Sequence, residues 1–197
     1  MSEPNKRFRV AKFGSAVEHI PNAVGNPLFK PVTITWTKPR IWLRDEAAPQ
    51  GLADVESGYV YALTRDHGKS LTKPKIVYIG LSTNIKTRFY YHPTAKKIRD
   101  MRGKTRISIG CVNFGSHHHE KSTKRAIESL EHLIIWALHP RPTFNKRKSK
   151  MMPGMGKYAR GAWHIHNRGE RFSGKMPLEI VHPWMLVRPG RDHSKRK

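Results

Sequence analysis

Apolar residues gather in three short stretches in the middle of the chain. Residues 59–63 (Tyr-Val-Tyr-Ala-Leu) and 75–79 (Lys-Ile-Val-Tyr-Ile) are rich in β-branched and aromatic side chains, and each predicts a strand. The linker 64–74 contains Asp66-His67-Gly68, a turn signal, so the two strands predict a hairpin with a long loop. Around residues 106–112, Ile107, Ile109 and Cys111 alternate onto one face of a third strand, which makes Cys111 a small core residue. Between the second and third strands, Asn84 is placed to cap a short helix that must stop by Pro93.

From residue 120 to 138 the period changes. Ile127, Leu130, Ile134 and Leu138 recur at steps of three and four, forming one apolar stripe of a helix that Pro140 and Pro142 end. Near the N-terminus, residues 32–36 and 40–43 predict strands kept short by Pro31 and Pro39, and a further strand lies near residues 178–181. The middle of the chain thus reads strand, strand, helix, strand, helix, an α+β domain over residues 55–148. Residues 1–54 form an N-terminal extension and residues 149–197 a basic C-terminal one.

Charge changes the picture most. The 197 residues hold 38 Lys+Arg against 14 Asp+Glu, a net of +24. Residues 86–106 carry eight basic residues against Asp100, a net of +7, and residues 146–197 carry fourteen against Glu170, Glu179 and Asp192, a net of +11. Tyr158, Trp163 and Phe172 are interleaved with the second run. Cations for phosphates and flat rings for bases suit nucleic acid, and Lys86, Lys146, Arg147, Lys148, Lys150, Lys157 and Arg160 are the expected contacts. The tail beyond Asn145 is expected to add affinity rather than chemistry. Hydrophobic runs reach only six residues, so no membrane span is expected. A single cysteine predicts a reducing, intracellular and cytoplasmic setting.

Candidate chemistry narrows quickly. Gly68-Lys69-Ser70 lacks the earlier glycine of a phosphate-binding loop, since Leu63 stands there. His117, His118 and His119 are adjacent and cannot converge on one ion without a turn, and His164 with His166 has no third ligand in view. On the long helix, Glu131 falls at the edge of the apolar stripe, whereas Glu128 points farther toward solvent. A carboxylate at that edge requires either a basic partner or a metal ion. Arg88 and His92 share one face of the short helix at i, i+4. Tyr61 and Tyr78 sit in apolar strands with one polar atom each.

Taken in order, Tyr59-Val60-Tyr61, Tyr78-Ile79-Gly80, Arg88, Glu131 and Asn145 resemble the GIY-YIG endonuclease family over residues 57–147. Tyr59 stands where the family's first motif has Gly, and the loop from Tyr61 to Tyr78 is longer than usual. The resemblance implies a small three-stranded antiparallel sheet flanked by helices. It further implies Mg²⁺-dependent hydrolysis of DNA, double-stranded in the main, with Mn²⁺ able to substitute. In that reading Glu131 holds the metal and Arg88 the scissile phosphate. Tyr61, helped by neutral His92, orients or deprotonates a water, provided that neighbouring cations lower its pKa, while Tyr78 and Asn145 position phosphate and water. A standalone chain of this size suits a restriction-like or phage or mobile-element enzyme, dimeric if restriction-like. Composition alone supports the alternative of a non-enzymatic, ribosome-associated nucleic-acid binder.

Overall fold

The computed structural model describes residues 17, 19–49, 59–66, 74–115, 120–139, 142–146, 148, 162–184, 186–188 and 190. Among them the chain runs β1 (Phe29–Trp36), β2 (Arg40–Ile41), β3 (Tyr59–Asp66), β4 (Lys75–Ser82), α1 (Ile85–Tyr90), α2 (Pro93–Asp100), β5 (Lys104–Asn113), α3 (Glu120–Leu138), β6 (Ala162–Gly169), β7 (Glu179–His182) and β8 (Leu186–Arg188).

The strands form one curled, mixed sheet in the order β4-β3-β5-β1-β6-β7-β8, with β2 also on β5. This overturns the expected three-stranded sheet flanked by helices. The hairpin β3–β4 and the strand β5 exist, yet they are only one end of an eight-stranded sheet. β1 extends it antiparallel to β5, from Thr33 opposite Asn113 to Trp36 opposite Gly110. β6 then pairs with β1 in parallel, from Phe29 opposite Ala162 to Trp36 opposite Gly169. Both residue ranges set apart as extensions therefore supply strands to the same sheet.

The physical reason is a continuous apolar face. Val32, Ile34 and Trp36 of β1 and Trp163 and Ile165 of β6 point the same way as Val60 and Ala62 of β3 and Ile79 of β4. Ile127, Leu130, Leu133 and Ile134 of α3 cover that face, burying one cluster that runs across the sheet. The opposite face of β3 and β5 presents Tyr59, Tyr61, Leu63, Ile107 and Ile109. These are covered by Ile85 and Phe89 of α1, Ala95 and Ile98 of α2, and Trp42. Central β3 is thus clad on both sides, which is why Tyr59 through Arg65 are all buried.

The same packing corrects two expectations about the tail. Trp163 and Phe172 are core residues, so neither ring is available to stack on a base. A chain ending near residue 150 would lack β6 and its eight-residue ladder with β1, together with the Ile165 and Ile180 core, so this part of the tail cannot be a detachable affinity segment. No helix among the described residues is long and apolar enough to cross a membrane.

Candidate active site

Four elements meet at one edge of the sheet. β3 and β4 pair so that Tyr61 lies opposite Gly80, and the hydroxyl end of the Tyr61 ring comes close over that glycine. A Cβ at position 80 would sit 2.3 Å from the Tyr61 ring carbon that bears the hydroxyl, so the glycine of Tyr78-Ile79-Gly80 is set by this close approach. Tyr78, two residues earlier, faces the same side, with its ring 6.1 Å from that of Tyr61.

Asn84 caps α1 as expected, its side chain accepting from the Thr87 amide at 3.0 Å. This short helix plants Phe89 against Tyr61, with ring centroids 4.7 Å apart. Arg88, the adjacent residue, is left exposed at the rim of a cleft. The cleft holds about 600 Å³ and is lined by Leu81, Ser82, Thr83, Arg88, Glu128, Glu131 and Lys148.

His92 stands between α1 and α2, and both of its ring nitrogens are used. Nδ1 accepts from the Ala95 amide at 3.2 Å, capping α2. The neutral ring therefore carries its proton on Nε2, which donates to Tyr78 Oη at 3.2 Å. The imidazole supports Tyr78, not Tyr61 as expected. Burial, reinforced by the Arg88 charge, lowers its pKa from the ordinary 6.5 to about 4. A group depressed in this way contributes stability that is complete above pH 6.5 and is lost as pH falls through about 4. Replacing His92 by Asn keeps a capping acceptor but removes the titration. The urea midpoint of the wild type should thus fall more steeply than that of His92→Asn between pH 6.5 and 4. Parallel profiles would contradict the buried, neutral imidazole.

Glu131 is buried at 7 % exposure. Of the two partners open to it, the structure supplies a basic one: the half-exposed ammonium of Lys148 pairs with its carboxylate. Burial raises the Glu131 pKa above the usual carboxylate value, and Lys148 and Arg88 oppose the rise. Glu128, one turn earlier, is exposed as helix phase suggested, and it also lines the same cleft. The signal was available: residues three apart on a helix differ by only about 60°.

Tyr61 is fully buried, and among the described residues its hydroxyl makes no well-formed hydrogen bond. Burial lifts its pKa well above 10, with Tyr78 adding to the rise and Arg88 working against it. Burial, and then Glu131, also raises Tyr78. The condition for Tyr61 to deprotonate water, a lowered pKa, is not met here. Both phenols keep their protons at neutral pH.

Asn145 is also near, but its amide is spent on the main chain. Oδ1 accepts from Ile79 N at 2.8 Å and Nδ2 donates to Ile79 O at 2.7 Å, closing the open edge of β4. It therefore holds residues 142–146 beside the sheet and does not reach toward a phosphate.

The expected nucleic-acid contacts divide. Lys146 is exposed and Lys148 is on Glu131, while Lys86 lies in α1. Arg147, Lys150, Lys157, Arg160 and Tyr158 lie outside the described residues, as do His117, His118 and His119. Other cations proved structural: Arg65 is buried and donates to Ile98 O at 3.1 Å, and Arg106 pairs with Asp66. Among the described residues, no group of three or more His, Cys, Asp or Glu side chains converges as a metal site. No family model, curated protein or solved structure matches this chain.

Proposed function

We propose that this chain is a Mg²⁺-dependent DNA endonuclease of the GIY-YIG type that hydrolyses phosphodiester bonds in double-stranded DNA. A restriction-like or phage or mobile-element setting, dimeric in the first case, belongs to the same proposal. The observation that carries it is a cleft lined by Arg88 of α1 and Glu131 of α3, with Tyr61 of β3 and Tyr78 of β4 close beside them, in a protein of charge +24.

The donor set suits a hard cation that needs few protein oxygens and keeps its own water. Glu131 would hold it, with Glu128 on the next turn facing the same space. When bound, the ion would supply Lewis-acid neutralisation of charge on the phosphate oxygens. Arg88 offers a guanidinium fork to the phosphate, a planar two-point contact that Lys cannot make. Tyr78 accepts from His92, so its own O–H remains to donate into the site. Tyr61, buried and protonated, packs beside Tyr78 and does not act as a base.

Lys148 occupies the carboxylate that this reading gives to the metal, so the two cations compete. Lys148→Met should bind Mg²⁺ roughly tenfold more tightly in the absence of DNA, about 1.4 kcal/mol. Its metal-free form should be about 1–2 kcal/mol less stable, because a largely buried carboxylate loses its partner. Calorimetric titration and melting curves with and without Mg²⁺ check both. Unchanged metal affinity in a folded Lys148→Met would place the ion elsewhere.

The Glu131–Lys148 pair also favours a second reading, in which the carboxylate is only a structural partner and the protein is a non-enzymatic nucleic-acid binder. Supercoiled plasmid incubated with Mg²⁺ or Mn²⁺ against EDTA separates the two. Nicked and linear products that need the metal support the nuclease. Plasmid that is shifted in a gel but never cut supports the binder.

A further inference from the structure

Two aromatic rings at the elbow between α1 and α2 have no part in the chemistry described above. Tyr90 is 53 % exposed and Tyr91 74 % exposed, although Phe89 beside them is fully buried. Their centroids are 4.8 Å apart with planes at 71°. The ammonium of Lys96 lies 5.4 Å over the Tyr90 ring, which fixes that ring and covers one of its faces. Tyr91 keeps most of its surface in water.

Their place in the chain matters as much as their exposure. Tyr91 caps α1, and its amide hydrogen bonds back to Thr87 O at 3.3 Å, so it still follows the helical path. Residues three apart on such a path lie on one side, with Cβ atoms about 5–6 Å apart. Tyr91 and Arg88 are such a pair. Tyr91 also directly precedes His92, whose ring holds Tyr78. A phosphate seated on Arg88 would bring its adjoining nucleotide to this elbow.

Charge around the elbow points to a polyanion. Lys97, Arg102 and Lys104 are exposed nearby in sequence, and the one acidic residue of the stretch, Asp100, is already paired with Arg99 at 2.7 Å. Rings beside cations suit a nucleobase. In an intact duplex each base face is covered by its neighbours, so an exposed tyrosine gains a stacking partner only where a base is unpaired.

We propose that Tyr91, with Tyr90 braced by Lys96, is a stacking platform for an unpaired base next to the phosphate held by Arg88. The preferred ligand is then DNA that carries an unpaired nucleotide at the point of contact, such as a bulge within a duplex, over uniform duplex. The inference deepens the nuclease reading by naming a structural class of substrate, and it rests on that reading for the place of the phosphate.

The test is fluorescence anisotropy without metal, using two labelled oligonucleotides of matched length, a perfect duplex and a duplex with a two-nucleotide bulge. The wild type should bind the bulged DNA roughly tenfold more tightly, within the range for stacking of one base. Tyr91→Ala should lose that preference while perfect-duplex affinity and the slope of log affinity against log salt stay unchanged, because no phosphate contact is removed. Tyr91→Trp should retain the preference. Both tyrosines are exposed, and unaltered melting curves would confirm that the variants are folded. Equal affinity of the wild type for both DNAs, or a preference that survives the Tyr90→Ala/Tyr91→Ala double variant, would overturn the platform. Binding to neither DNA would remove the nucleic-acid reading with it and leave the rings to a protein partner. Bulge preference lost in Tyr91→Ala by a protein that never cuts would sustain the platform and sink the nuclease.

Discussion

Glu131→Gln should lose Mg²⁺-dependent plasmid cleavage by about two to three orders of magnitude while the protein stays folded. The substitution keeps the shape of the side chain. It removes the charge that either Lys148 or a metal must answer, and Lys148 is half-exposed and can be solvated when the pair is broken. Folding should therefore change little, since only a partly solvated ion pair is given up. Glu128→Gln is the informative companion. Its carboxylate is exposed but faces the same cleft, so a modest loss, severalfold and mainly at low Mg²⁺, is expected. A dead Glu128→Gln beside an active Glu131→Gln would reverse the roles of the two carboxylates. Titrating Mg²⁺ in each plasmid reaction distinguishes these outcomes.

Arg88→Ala should lower the cleavage rate by about 10³-fold with little loss of DNA binding. Arg88 is exposed at the rim of the cleft and packs no core, so its removal should not unfold α1, whose hold on the sheet is Ile85 and Phe89. Binding should survive because a chain of charge +24 has many other phosphate contacts. Arg88→Lys should recover only a small part of the rate, since an ammonium keeps the charge but loses the planar fork. Gel shifts run beside cleavage assays check the separation. Equal loss of binding and turnover would make Arg88 an affinity residue.

Local structure was legible where local rules decide it. Asn84 capped α1, the β-branched and aromatic runs at 59–63 and 75–79 and the alternation around 106–112 gave real strands, and the stripe of Ile127, Leu130, Ile134 and Leu138 lies buried on α3. The sheet itself was not legible. β1 pairs with β6 in parallel across more than a hundred residues, and no turn residue announces such a pairing. β1 carries Pro31, and β6 alternates Trp163 and Ile165 with His164 and His166, which reads as a weak half-buried strand until a second layer covers it. The tail looked like a nucleic-acid arm because charge dominates its composition. Trp163 and Phe172 were in fact, respectively, part of the apolar half of strand alternation and a core contact.

The site divides in the same way. The GIY-YIG resemblance singled out Tyr61, Tyr78, Arg88 and Glu131, and the structure places them near one another, each on a different local element. The partners of those residues were not legible. That His92 serves Tyr78 follows from α2 starting one residue later, so that Nδ1 is taken by the Ala95 amide. That Asn145 is a main-chain clamp follows from β4 being an edge strand. That Lys148 answers Glu131 depends on how the chain returns after α3. Each is a tertiary fact about a polar group, and spacing along the chain does not encode which of several nearby polar groups will meet it.

The most direct measurement is single-turnover cleavage of supercoiled plasmid by the wild type and by Glu131→Gln, each with Mg²⁺ and with EDTA. The expected result is nicking by the wild type that requires Mg²⁺ and is slower in Glu131→Gln by about two to three orders of magnitude. Equal nicking by both proteins, or intact plasmid with a folded, DNA-bound wild type in Mg²⁺, would contradict the proposed active site.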